Sequence, residues 1–209
     1  MNIATRCLFG GALLGAGLAS NANAGEIPAF TINDALEITD LGSSSDYGDY
    51  TYSYGSMSID TWNFTVLSDS WVALDILSYE FFETGFDSSL WLFHNDGQEF
   101  SYGGNYIDWN DDYDLDDDYN GSVDEYDSFI ERFLKAGEYT VAVAYYSVNI
   151  DEVNDGNSQS GTIYGPSGDG DPLSGQYQLD FYGDIALVPA PTTLALLSLA
   201  GLTATRPRR

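Results

Sequence analysis

Cysteine is almost missing from this chain: Cys7 is the only one in 209 residues, so no intrachain disulfide can form. Histidine is equally scarce. A zinc site of the usual kind would need more imidazole or thiolate than His94 and Cys7 supply. A nucleophile–imidazole pair would depend entirely on His94, which precedes a turn, where a polar rim residue is the ordinary expectation. Ser167 lies in Gly165-Pro166-Ser167-Gly168, without the nucleophile-elbow pattern. Positive charge is the third shortage, with six basic residues against 33 acidic ones. All 33 acids fall between Glu26 and Asp184, where Arg132 and Lys135 are the only bases, so the body carries −31. A surface like that has no basic patch with which to displace counterions from nucleic acid. It attracts divalent cations and stays soluble.

The two ends differ in kind from the body. Residues 1–24 combine Arg6, an apolar run over 7–19 and Ala22-Asn23-Ala24. A charged start, a short apolar stretch and a small-x-small site read as a secretory signal peptide, cleaved between Ala24 and Gly25. Cys7 has no Leu-x-Gly before it, which excludes a lipoprotein signal. At the other end, Val188-Pro189-Ala190-Pro191 leads into an apolar stretch over 192–204, closed by Arg206, Arg208 and Arg209. That is a proline hinge, an apolar helix and a cationic stop. In this order it resembles the PEP-CTERM sorting signal of Gram-negative bacteria, with Ala190 where that signal has Glu. The resemblance implies removal of the tail by an exosortase, transient inner-membrane anchoring, and release to the cell surface or extracellular matrix. Residues 188–209 therefore form a sorting segment, and 25–187 a single body of ordinary domain size.

What the body has in abundance is aspartate. Between Asp108 and Asp127 stand nine aspartates and one glutamate, with no Lys or Arg among them. Counted from Asp116, oxygen ligands fall at positions one (Asp116), three (Asp118), five (Asn120), seven (Ser122), nine (Asp124) and twelve (Asp127), with Gly121 at six. This is the order of a calcium loop, Gly providing the sharp turn and the last carboxylate closing the shell. Ca2+ is thus the expected cofactor. The residues after Asp127 read as strand rather than as an exiting helix, so the loop is not a full EF-hand.

Around this stretch the pattern has period two. Trp62, Phe64 and Val66 alternate with polar residues; Val72, Leu74 and Ile76 form a second set. Further strands are predicted over 89–94, 128–134, 138–148 and 176–187, with Tyr139, Val141, Val143, Tyr145, Tyr177, Leu179 and Phe181 inward. Residues 25–40 read as a lead-in, 41–54 as a surface loop or edge, 99–102 as a short partner of 89–94, and 149–173 as a long polar loop. No sustained helical period precedes the tail. The fold class is all-β: one β-sandwich with long acidic loops.

Several landmarks recur in order: Asp60-Thr61-Trp62-Asn63-Phe64-Thr65-Val66; Phe86-Asp87-Ser88-Ser89-Leu90-Trp91-Leu92-Phe93 with Asn95-Asp96-Gly97; Asn110-Asp111-Asp112; Asp127-Ser128; and Leu134-Lys135-Ala136-Gly137-Glu138-Tyr139-Thr140-Val141. They resemble the bacterial prepeptidase C-terminal (PPC) type domain over roughly residues 30–187. That resemblance implies a jelly-roll-like sandwich, accessory rather than catalytic and often calcium-associated. Its acidic positions, Asp87, Asp96, Asn110, Asp111 and Asp112, form a second candidate metal cluster, for which turn capping is the ordinary alternative.

Two functions compete. One is a non-catalytic surface or matrix protein stabilised by calcium. The other is a calcium-dependent glycan-binding module, with exopolysaccharide as partner, in which loop aromatics (Tyr47, Tyr50, Tyr52, Tyr54, Tyr102, Tyr106, Trp109) stack on sugars. A glycosidase ranks behind both: carboxylates are plentiful, but no pair stands out.

Overall fold

The computed structural model describes residues 27–47, 50–78, 85–112, 126–166 and 174–188. They form a sandwich of two antiparallel sheets. The chain runs through β1 (Phe30–Tyr47), β2 (Tyr50–Met57), β3 (Asp60–Val66), β4 (Ser70–Leu77), β5 (Ser88–His94) and β6 (Tyr106–Asn110). It continues through β7 (Phe129–Leu134), β8 (Gly137–Tyr145), helix α1 (Ile150–Asp155), β9 (Gly161–Pro166), β10 (Ser174–Tyr182) and β11 (Ile185–Leu187). One sheet has the order β7-β4-β10-β1-β2-β9, the other β11-β3-β8-β5-β6.

The core lies between the sheets. Alternation decides who enters it: Phe64 and Val66 of β3, Val72, Leu74 and Ile76 of β4, Tyr139, Val141, Val143 and Tyr145 of β8, and Tyr177, Leu179 and Phe181 of β10 share one buried cluster. The inward faces expected from period two are thus the observed ones. A polar link crosses this core. The Tyr177 hydroxyl donates to Asp60 Oδ2 at 2.9 Å and accepts from Trp62 Nε1 at 3.0 Å. Burial first, then the nearby Asp60 carboxylate, pushes the phenol far above its ordinary range, so it stays a donor.

The first part of the chain departs from expectation. The lead-in and supposed loop are β1 and β2, a long hairpin whose outer half pairs β2 with β9. Backbone pairing makes these strands, since a Ser-, Gly- and Tyr-rich segment carries little apolar alternation to announce them. Residues 99–102 are loop, and β6 is the strand that pairs with β5. The stretch expected as a polar loop contains α1 and β9. Asn149 caps α1 by accepting from the backbone N–H groups of Asp151 and Glu152, while the Glu152 carboxylate accepts from Asn149 N. The expected last strand divides at Gly183 into β10, in one sheet, and β11, in the other.

α1 packs on the outer face of the five-stranded sheet. Ala142 and Ala144 of β8 are small enough to admit it, and Ile150 and Val153 join Trp91, Phe93 and Ile59 in a second buried cluster. Among the described residues no helix is long and apolar enough to cross a membrane. The predicted signal peptide (1–24) and the sorting segment beyond Val188 lie outside the described residues.

Candidate binding surface and acidic pole

The acidic stretch leaves one sheet and re-enters the other. It departs from the end of β6, in the five-stranded sheet, and returns at β7, in the six-stranded one. Asp116, Asp118, Asn120, Ser122 and Asp124 lie outside the described residues. Asp127, the closing position, is fully buried. Its Oδ1 accepts from Ser78 N at 2.8 Å and lies 2.6 Å from the Ser78 hydroxyl. The next residue continues the same knot: Ser128 N donates to Ser88 Oγ at 3.1 Å, and Ser128 Oγ to the Ser88 carbonyl at 2.8 Å. The return of the acidic stretch is thereby locked to the end of β4 and the start of β5.

The second predicted cluster divides between two ends of the sandwich. Asp87 precedes β5 and Asp96 follows it, so about seven residues of strand, roughly 20 Å, separate them. The antiparallel register, Leu90↔Asn110, puts Asn110 and the following Asp111 and Asp112 near the Asp87 end. Asn110 Oδ1 accepts from Phe129 N at 3.0 Å and so ties β6 to β7. Beside it, Arg132 Nε lies 2.7 Å from Asp108 Oδ2. Burial, then the charge of Asp112, raises the Asp111 carboxyl above its ordinary value. Asp96 serves a turn: the Gln98 N–H and then the Asn105 side chain hold its carboxyl below the ordinary value, at 3.0 and 3.1 Å. Among the described residues no three His, Cys, Asp or Glu side chains converge as a metal site. The donor set of the 116–127 loop is oxygen only, which fits a hard cation such as calcium.

At the Asp96 end the loop between β5 and β6 builds something else. Asn105 is buried; its amide reaches Asp96 and the Glu99 carbonyl, and its Oδ1 accepts from Ser101 N at 3.0 Å. Asn154 of α1 clamps Phe100 from both sides, accepting from Phe100 N at 2.8 Å and donating to its carbonyl at 2.9 Å. Phe100 then stacks on Phe93 at 4.0 Å between centroids. This scaffold presents aromatic rings around Trp91. Trp109, its cross-strand partner, stands 5.6 Å away, Tyr102 6.2 Å and Tyr106 6.3 Å; Tyr102 and Tyr106 meet edge-on at 5.2 Å. Trp91 is 3% exposed, Trp109 37% and Tyr102 63%. The Trp91 indole N–H is buried and meets no protein acceptor. Burial, then Asp108, raises the Tyr106 phenol, so it remains protonated across the neutral range.

Of the seven aromatics expected to stack on sugars, Tyr102, Tyr106 and Trp109 are thus brought together. Tyr47 and Tyr50 face each other in the β1–β2 register, and Tyr52 and Tyr54 follow on β2. Trp91, Asn105 and Asn154 carry the surface without having been anticipated. Trp91 is indistinguishable in sequence from any strand residue, and the two asparagines act across 9 and 54 positions of chain. His94 stacks on Tyr139 at 4.7 Å, as a rim residue does. No protein-family model matches the chain, and no curated protein matches it in sequence.

Proposed function

We propose that this chain is an exported, non-catalytic bacterial surface or extracellular-matrix protein, its jelly-roll-like sandwich stabilised by calcium in the acidic stretch. The observation that carries the reading is the buried Asp127 anchor, which fixes one end of a stretch dense in carboxylates to the junction of two sheets. A cation bound by Asp116, Asp118, Asn120, Ser122, Asp124 and Asp127 would turn that repulsion into cohesion where no disulfide can help. Export follows from the signal-peptide pattern and from the tail, which an exosortase-type enzyme would remove. The test is the mass of the protein in surface and medium fractions of the producing cell. A form beginning at Gly25 and lacking Arg206, Arg208 and Arg209 is expected; an intact chain held in the inner membrane would sink the reading.

A second reading, glycan binding, is favoured by the ring cluster around Trp91. An exposed Tyr102 on a braced loop and an exposed Trp109 on the adjoining strand suit stacking on a sugar better than they suit solvent.

A further inference from the structure

We propose that Trp91, Tyr102, Tyr106 and Trp109 form a binding site for a neutral pyranose polysaccharide. The inference rests on the glycan-binding reading and deepens it by naming the site and the ligand class. A pyranose ring presents C–H bonds on its faces and hydroxyls at its edge. An aromatic face is electron-rich and takes up such C–H bonds, while phenol and indole groups offer hydrogen bonds beside them. Trp109 and Tyr102 are exposed and Tyr106 is half-buried, all three in ring contact with Trp91, whose buried N–H meets no protein acceptor.

The surface is built before any ligand arrives. The Phe93–Phe100 stack supports it from below, and Asn105 and Asn154 hold the loop that carries Tyr102. Little ordering entropy is left to lose on binding.

Charge selects the ligand. The body holds two cations, and both are committed: Arg132 to Asp108 and Lys135 to Asp69. An anionic polysaccharide would meet a body of −31 whose two cationic side chains are already paired. A second copy of this chain would bring the same charge and the same repulsion. The net charge of the body would draw a cationic guest to the surface in general. At the rings, however, Asp96 is bonded to Gln98 and Asn105 and Asp108 is paired with Arg132, so neither is left open to pair one there. A neutral sugar chain is the occupant that this chemistry leaves.

The test uses the full-length chain in native gels containing a soluble neutral polysaccharide (mixed-linkage β-glucan, amylose or galactomannan) or the anionic alginate. Wild type is compared with Trp109→Ala, Tyr102→Ala and, as control, Trp71→Ala, an exposed ring on the other sheet. Retardation by a neutral polymer is expected, about tenfold weaker in each cluster variant, with Trp71→Ala retarded like wild type and every variant still unfolding cooperatively. Equal retardation of all four proteins would overturn this site and leave glycan binding standing. No retardation by any polymer, neutral or anionic, would overturn both, and retardation by alginate alone would overturn the neutral class. Self-association, or capture of oligolysine, that disappears in Trp109→Ala would assign the rings to a protein partner and overturn the proposal.

Discussion

Asp127 shows how one side chain can hold two kinds of information. In the sequence it closes a calcium-loop pattern; in the fold its carboxylate is buried against Ser78. Both hydrogen bonds lie out of water, where leaving a buried donor unmet costs about 1–3 kcal/mol. Asp127→Ala should therefore lower stability by about 3 kcal/mol in urea unfolding, with Ser78 N left unpaired in the core. A loss under about 0.5 kcal/mol, the level of an ordinary surface change, would show that the anchor is dispensable. The type of residue at 127 was legible in the sequence, but its burial was not. Ser78 lies 49 positions away, and nothing local to Asp127 marks it as a partner.

Elements were legible in proportion to their amphipathicity. β3, β4, β8 and β10 alternate and bury the faces that their sequences announce. β1 is a partial case. Phe30, Ile32, Leu36 and Ile38 keep period two, but Asp34 falls in phase with them, opposite Tyr177. α1, with six residues, is too short for a 3.6-residue period to register; its signature was the capping pair Asn149 and Glu152. The junction of β10 and β11 depends on Gly183, whose φ of +119° lies outside the basins of L residues. A Cβ there would stand 2.7 Å from the Trp71 carbonyl oxygen. Gly183→Ala should cost about 2–4 kcal/mol through strain and displaced backbone. Gly97→Ala, at φ +74° with open space around it, should cost only about 1–2 kcal/mol. Equal midpoint losses in the two variants would refute the steric account.

For the molecule as a whole, charge sets the response to its medium. Asp69, paired first with Lys135, and Asp96, bonded first to the Gln98 N–H, are held below the ordinary 3.8. Their contributions are therefore complete above 3.8 and are lost as pH falls through their lower folded values. Asp111 has the opposite sign: its folded value is raised, so its ionisation opposes folding, and stability rises as it protonates on the way down to 3.8. General repulsion within the −31 body adds to that rise. At low salt the melting midpoint should climb from pH 7 to a maximum at about pH 4–5 and then fall. Calcium should mimic the climb at pH 7. At tenfold its dissociation constant, one site adds about 1.4 kcal/mol, or about 3–6 °C for a body of this size. EDTA should abolish the shift, and Asp116→Ala with Asp118→Ala should prevent it. A shift reproduced by NaCl at equal ionic strength would assign the effect to screening.

Composition and alternation were sufficient for the all-β class, the inward faces of the strands and the predicted response to charge. These depend on each residue's own chemistry and on its immediate neighbours. The strand order, the separation of Asp87 from Asp96, and the gathering of Tyr102, Tyr106 and Trp109 around Trp91 came only with the tertiary structure. The reason is that cross-strand neighbours are joined by backbone hydrogen bonds between segments distant in the chain. Backbone groups are alike in every residue, so local sequence does not mark which segments will meet.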